Sequence, residues 1–154
     1  MSSVDLSDPA NRRLGSLLRL HAARNPERPF LLTETQAIRY AAANARTNGF
    51  AAGLRGLGIG RGERVAILMD SSIDYVLLAL ALNKLGAVWV PLNTDYRGEW
   101  LAQAIEDSRA SALLVDAPYL PRLQALEPAP AHGLLIVRGL DAAEAVKAGA
   151  RARL

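Results

Sequence analysis

Cysteine is absent from the 154 residues, which excludes a disulfide scaffold, a thiolate metal site and a catalytic thiol. Histidine is almost absent too. His21 and His132 lie far apart, and neither has a second potential ligand three or four positions away, so both read as helix-face or loop residues without a metal role. An excess of charge of one sign is also missing: residues 1–64 hold 10 basic and 5 acidic side chains and residues 65–154 hold 8 and 10. Neither half reaches the basic density of a nucleic-acid binder, and the 16 arginines are scattered singly through polar stretches, as on solvated helix surfaces.

No apolar run is long enough to span a membrane. The most apolar stretch, Ile73 to Leu92, is interrupted by Asn83, Lys84 and Gly86 and reads as a buried helix followed by a buried strand. Met1 to Pro9 carries Asp5 and Asp8 and no apolar run, so no secretory leader is expected and the expected address is cytoplasmic.

What is present is a globular composition, 51% hydrophobic and 21% charged, with enough length for one compact core. Residues 1–13 read as a flexible N-terminus and residues 14–154 as a single α/β layer domain. Leu14, Leu17, Leu18 and His21 fall at helical spacing, and Asn25-Pro26 stops that helix because a residue before proline avoids the α region. Phe30–Thr33 and Ala37–Tyr40 read as two short strands joined by a turn. From Tyr40 the period changes: Tyr40, Ala43, Thr47, Phe50, Leu54 and Leu57 mark an amphipathic helix.

The glycine run 56–62 ends that helix and Arg64–Met69 is an apolar strand. Asp70, Ser71 or Ser72 then caps a helix over Ile73–Leu85, whose first turn is suited by Asp74. Further along come a strand at Ala87–Leu92, a helix at Arg97–Asp107 and a strand at Ala112–Val115. A loop or short helix around Pro118–Pro130 leads to a strand at Leu134–Val137 and a weak helix at Asp141–Ala148. Strands that are apolar throughout and alternate with helices predict an open, doubly wound, mostly parallel sheet with helices on both faces.

The candidate chemistry is thin. The glycine run follows a helix and precedes a strand, the reverse of a dinucleotide fingerprint, and no Gly-Lys pair exists to make a P-loop. It reads as a helix C-cap and tight turn. No G-x-S-x-G elbow supplies a nucleophile, and Glu106 and Asp107, adjacent on a helix, point apart as a solvated face. Asp70 and Asp116 end strands, where ligands of open α/β sheets bind, although helix capping accounts for both.

Four stretches in order resemble the N-terminal part of the adenylate-forming (AMP-dependent) synthetase and ligase superfamily, acyl-CoA synthetases above all. They are RNPERPFLL, YAAANARTNGFAAGLRGLGIGRGERVAIL, SSIDYVLLALALNKLGAVWVPLN and LAQAIEDSRASALLVD. Ala42-Ala43 stands where that family usually has Glu-Leu, and Asp70-Ser71 where it favours Pro-Asn. The resemblance implies a family reaction in which a carboxylate and ATP give an acyl-adenylate, whose acyl group passes to CoA, with ATP, Mg and CoA as cofactors of the full-length enzymes and a place in fatty acid metabolism. The Ser/Thr/Gly-rich phosphate loop closed by Pro-Lys-Gly and the C-terminal lysine of that family are absent from these residues. The resemblance therefore implies an N-terminal fragment that is inactive alone and binds none of these cofactors tightly. The alternative is a non-catalytic binding or assembly module derived from the same fold.

The resemblance also points to Asn93, Thr94 and Asp95 as residues on the CoA side. The competing account is that Thr94 or Asp95 caps the helix from Arg97. No catalytic and no metal residue is indicated. As partners the sequence suggests the remainder of a ligase or a second copy of the chain, and neither nucleic acid nor a membrane span. Val76, Leu77, Leu78, Leu80, Leu82 and Leu85 surround the axis of the 73–85 helix, so a homo-oligomer through that helix is expected, with Leu78 as an outward-facing residue.

Overall fold

A computed structural model describes residues 7–127, 133–139 and 152–153. The single layer read over 14–154 is built as two compact units: residues 1–60 with 71–86, and residues 61–70 with 87–154. The chain leaves the second unit after Asp70, adds one helix to the first, and returns at Ala87. Within the segment read as a flexible N-terminus, Pro9–Arg12 forms a turn of 3-10 helix.

The first unit contains α1 (Leu14–Arg24), the strands β1 (Pro29–Leu32) and β2 (Ala37–Arg39), α2 (Tyr40–Gly56) and α3 (Ile73–Leu85). β1 and β2 pair antiparallel, with the turn between them closed by Thr33 and Gln36. Leu18 of α1, Ile38 of β2, Ala43 of α2 and Ile73, Leu77 and Leu80 of α3 form its core, bordered by Phe30, Tyr40 and Phe50. Polar ties hold the three helices in register. Asn83 Oδ1 accepts from Gly15 N at 3.2 Å, Lys84 Nζ donates to Asn44 Oδ1 at 2.6 Å and Asn48 Oδ1 at 2.7 Å, and Arg46 pairs with Asp74. Burial, together with the Arg19 cation, lowers the Lys84 pKa.

The ends of α3 follow from local chemistry. Among its three candidates Ser72 is the N-cap, accepting from Tyr75 N at 3.1 Å, and Gly86 closes the helix at φ 71°, a conformation that costs a residue with a Cβ. The expected exposure of this helix is corrected: none of its 13 residues is exposed, and Leu78 is 0% accessible. Leu78 is a core residue. Leu77, Leu78, Leu80 and Leu82 are buried while Val76 and Leu85 are half-buried, so the self-association expected through Ile73–Leu85 loses Leu78 as its outward residue.

On α2, Ala43, Thr47, Ala51 and Leu54 are buried, close to the expected stripe. Thr47 Oγ1 is buried and accepts or donates no hydrogen bond, so it carries a desolvation cost without compensation. Thr47→Val keeps the β-branched shape and removes that cost. It is expected to raise stability by about 1 kcal/mol, read as an increased urea midpoint at unchanged slope.

The second unit contains β3 (Arg64–Leu68), β4 (Val88–Pro91), α4 (Gly98–Ser108), β5 (Ala112–Asp116), a 3-10 turn Ala117–Tyr119, α5 (Leu120–Gln124), β6 (Leu134–Arg138) and β7 (Ala152–Arg153). All five strands are parallel, in the order β4-β3-β5-β6-β7. The sheet starts in its interior at β3, adds β4 on one side and β5 to β7 on the other, and so is doubly wound with its switch point between β3 and β5. β5 is buried at every position, which is why ALLVD shows no alternation in sequence.

Leu101 and Ile105 of α4 pack on the sheet face formed by Ala66, Leu68, Leu113, Val115, Leu135 and Val137, and Leu120, Leu123 and Leu126 extend that core. The C-terminus of α4 is closed by Arg109 at φ 49°, and the carbonyl of Ser108, the last helical residue, accepts from Arg64 Nε at 2.5 Å. The glycine run between the units is a turn, as expected: Gly58 sits at φ 89°. Among the described residues no helix is long and apolar enough to cross a membrane. The helix expected at Asp141–Ala148 and His132 lie outside the described residues.

Candidate functional site

The carboxyl ends of β3, β5 and β6 carry a polar cluster. Each strand is driven into the sheet by its apolar residues, and the first polar residue after them is left at the sheet's end. Asp116 and Arg138, the last residues of β5 and β6, are register partners. The two form a bidentate pair, Arg138 Nε to Oδ1 at 2.5 Å and Nη2 to Oδ2 at 2.8 Å, with the carboxylate side chain 8% and the guanidinium 27% exposed. Asp116 Oδ2 also accepts from Asp70 N at 3.4 Å across the switch point. Asp70 in turn accepts from the Tyr119 hydroxyl.

Neither aspartate is a cap, which corrects that expectation: Ser72 caps α3, and the 3-10 turn after Asp116 has no side-chain cap bond. Both carboxylates are instead spent on holding the strand ends together. The hydrogen bond to Asp70 raises the Tyr119 pKa above its ordinary value, as does burial, while Thr94 and the Arg122 cation oppose the shift.

The cluster reaches the loop between β4 and α4. Arg122 lies 4.7 Å above the Tyr119 ring and donates from Nη1 to the Thr94 carbonyl at 2.6 Å. Asn93 Oδ1 accepts from Asp95 N at 2.9 Å, and Asn93 O accepts from Tyr96 N at 3.1 Å, so residues 93–96 form a tight Asx turn. The capping expected of Thr94 or Asp95 is corrected: the residue preceding α4 is Arg97, extended and without a side-chain cap bond, and its Nη1 instead donates to the carbonyls of Thr94 and Tyr96. Asn93 and Asp95 are exposed and Thr94 half-buried. Asp95, Tyr96, Arg97 and Trp100 line an open hollow of about 390 Å³.

Tyr119, Arg122 and Arg138 escape a reading by motif, since none has a characteristic spacing. One signal was available: ALLVD and LLIVR are apolar strands of equal length ending in opposite charges. Of the other sequence candidates, His21 belongs to the first unit. His21 stacks on Tyr40 at 5.3 Å between ring centres, Glu106 and Asp107 are exposed, and the described residues contain no group of three metal-ligating side chains. With the Asp116 carboxylate paired to Arg138, Asp70 bonded to Tyr119 and Arg122 bonded to the Thr94 carbonyl, the cluster can orient the loop before α4.

A profile of the AMP-binding enzyme family matches residues 18–153. The chain belongs to that family. Its N-terminal position within family members is clear from the relatives. It is 33% identical over 117 residues to the long-chain-fatty-acid–CoA ligase FadD13 of Mycobacterium tuberculosis, covering 75% of this chain and 23% of that ligase. It is 30% identical over 144 residues to surfactin synthase subunit 1 of Bacillus subtilis, covering 93% of this chain and 4% of the synthase. Among solved structures, the N-terminal domain of FACL13 from Mycobacterium tuberculosis superimposes with a TM-score of 0.76 at 29% identity, over 89% of this chain and 36% of that one. A Mycobacterium tuberculosis fatty acyl CoA synthetase superimposes with a TM-score of 0.75 at 27% identity, over 96% and 27%. The chain thus spans about a quarter of the length of the AMP-binding ligase FadD13, and the parallel sheet with its polar carboxyl ends belongs to the N-terminal domain of such enzymes.

Proposed function

We propose that the chain is the N-terminal portion of an ATP-dependent acyl-CoA synthetase acting on a carboxylic acid in the cytoplasm, and that these residues alone do not catalyse adenylation. One observation carries the reading: the family match runs through nearly the whole chain while the chain covers only about a quarter of FadD13. The names of two of the matched ligases point to a fatty acid as the carboxylate.

The residues present do not fit the triphosphate of ATP, because no Pro-Lys-Gly loop occurs among them. The turn at Asn93, Thr94 and Asp95 fits part of CoA. Asn93 Oδ1 and the Thr94 carbonyl are already engaged within the turn, and the Thr94 side chain is hydrogen-bonded to Tyr119, which leaves the Asp95 carboxylate. It suits a ribose hydroxyl or a base amine, and its negative charge disfavours a phosphate at that spot. In this reading the Asp116–Asp70–Tyr119–Arg122 chain serves to hold the turn in place.

Pyrophosphate exchange into ATP, measured on the 154-residue chain with short-chain, long-chain and aromatic carboxylic acids, is expected to stay at the no-enzyme rate for every acid. Exchange above that rate with any acid would show that these residues suffice for adenylation.

A further inference from the structure

The three long helices of the first unit are unbalanced in charge. α1, α2 and α3 carry Arg19, Arg24, Arg46, Arg55 and Lys84 against a single carboxylate, Asp74. Asp74 lies in the first turn of α3 and is taken by Arg46, whereas Lys84 lies in the last turn, about 15 Å further along the axis. Lys84 is one of two lysines in a chain with 16 arginines. Its stem runs against α1, where a Cβ at Gly15 would stand 2.5 Å from Lys84 Cγ, and its ammonium is held on α2 by Asn44 Oδ1 and Asn48 Oδ1. Arg19 of α1 is near enough for its charge to act on that ammonium. Among the described residues no carboxylate bonds Lys84 or Arg19.

Two cations held close without an anion repel each other. The carboxyl end of α3 offers only about half a unit of negative charge against them. The groups left unbonded at this junction are all donors: the third N–H of Lys84, the guanidinium of Arg19 and the side-chain amide groups of Asn44 and Asn48. Lys84 and Asn44 are half-buried and Arg19 and Asn48 exposed, so the junction is open to solvent on one side.

We propose that this junction of α1, α2 and α3, at Lys84 and Arg19, binds a soluble phosphate group, free or as a monoester. The charge fits, since such a group carries about −1.5 to −2 at neutral pH against two cations. The donor count fits as well: donors from three helices suit three phosphate oxygens, where a carboxylate would offer two oxygens and a single charge. The ammonium is already positioned by Gly15 and the two asparagines, so binding requires little ordering of Lys84. The site lies wholly within the first unit and uses none of the residues given to CoA.

The test is NMR on the full chain labelled with carbon-13 at lysine Cε, where the Lys84 signal has only that of Lys147 beside it. Inorganic phosphate is expected to move the Lys84 signal with a dissociation constant of roughly 1 mM. It is also expected to raise the pH midpoint of Lys84, because an adjacent anion favours the charged amine over the burial and Arg19 repulsion that lower it. Sodium chloride and acetate at matched ionic strength are expected to leave both unchanged.

Arg19→Gln, at an exposed position without a hydrogen bond of its own, is expected to melt like the wild type. It is expected to raise the Lys84 midpoint in the absence of phosphate and to weaken phosphate binding at least about fivefold. Lys84→Met keeps a stem over Gly15 and is expected to lose the rise in melting temperature that phosphate gives the wild type. Phosphatidylcholine vesicles containing phosphatidic acid are expected to leave the chain in solution in a flotation assay. Capture that Lys84→Met abolishes would move the phosphate to a lipid headgroup and overturn the soluble source. A Lys84 signal unmoved by phosphate, one moved equally by chloride or acetate, or an Arg19→Gln chain that binds phosphate as tightly as the wild type would overturn the site itself.

Discussion

Leu78→Glu is expected to abolish the cooperative unfolding transition of the chain. Leu78 is fully buried at the middle of α3, a helix with no exposed residue. The substitution forfeits about 1.5–3 kcal/mol of apolar burial. It also strands a carboxylate at a fully buried position, at a cost of several kcal/mol more. Together these approach or exceed a single domain's stability of about 5–15 kcal/mol. Thermal melts followed by circular dichroism should show a broad, shallow change in place of a sigmoid. Leu78→Ala is the graded control, losing about 2–5 kcal/mol while remaining folded. If Leu78→Glu instead melts within a degree or two of the wild type, the helix is not covered as described.

The second large effect is expected at Asp116. Removing this carboxylate by Asp116→Ala leaves Arg138 without its bidentate partner and Asp70 N without an acceptor, at the ends of three parallel strands. Breaking a fully buried pair costs about 3–5 kcal/mol. The Arg138 side chain is 27% exposed and can turn toward water, which brings the expected loss to roughly 2–3 kcal/mol. Asp116→Ala with Arg138→Met should recover more than half of it, since no unpaired charge remains. A urea double-mutant cycle is expected to give a coupling above about 1 kcal/mol. Equal losses that simply add would mean that the two side chains are only neighbours. The loss should also travel along the cluster, so that amide exchange at residues 93–97 accelerates in Asp116→Ala, because the route to the Thr94 carbonyl runs through Asp70, Tyr119 and Arg122.

The order and type of the elements followed from local patterns because local causes produce them. The 3.6-residue period of Tyr40–Leu57, the Ser72 and Gly86 ends of α3 and the apolar blocks RVAIL and ALLVD each name an element without reference to distant residues. The ordered set was also enough to place the chain in its family, since family membership is written in succession and spacing rather than in any one contact.

What surrounds each element was a different matter. An all-round apolar helix says only that it must be covered, and Leu78 is covered by its own chain, so the exposure assigned to it from the helical wheel was wrong. The reverse holds for Trp100: it sits one residue before a core leucine, and only the direction in which α4 presents its faces leaves it in water. Asp70 and Asp116 had the composition and position of caps. Parallel register brings Arg138, 22 residues further on, beside Asp116, and a charged partner at hydrogen-bonding distance outweighs a local backbone donor. Period and capping, set by neighbours in sequence, were thus decided by the amino acids alone. Burial and ion pairing, which depend on what the fold brings near from elsewhere in the chain, were decided only once the sheet had closed its strands in register.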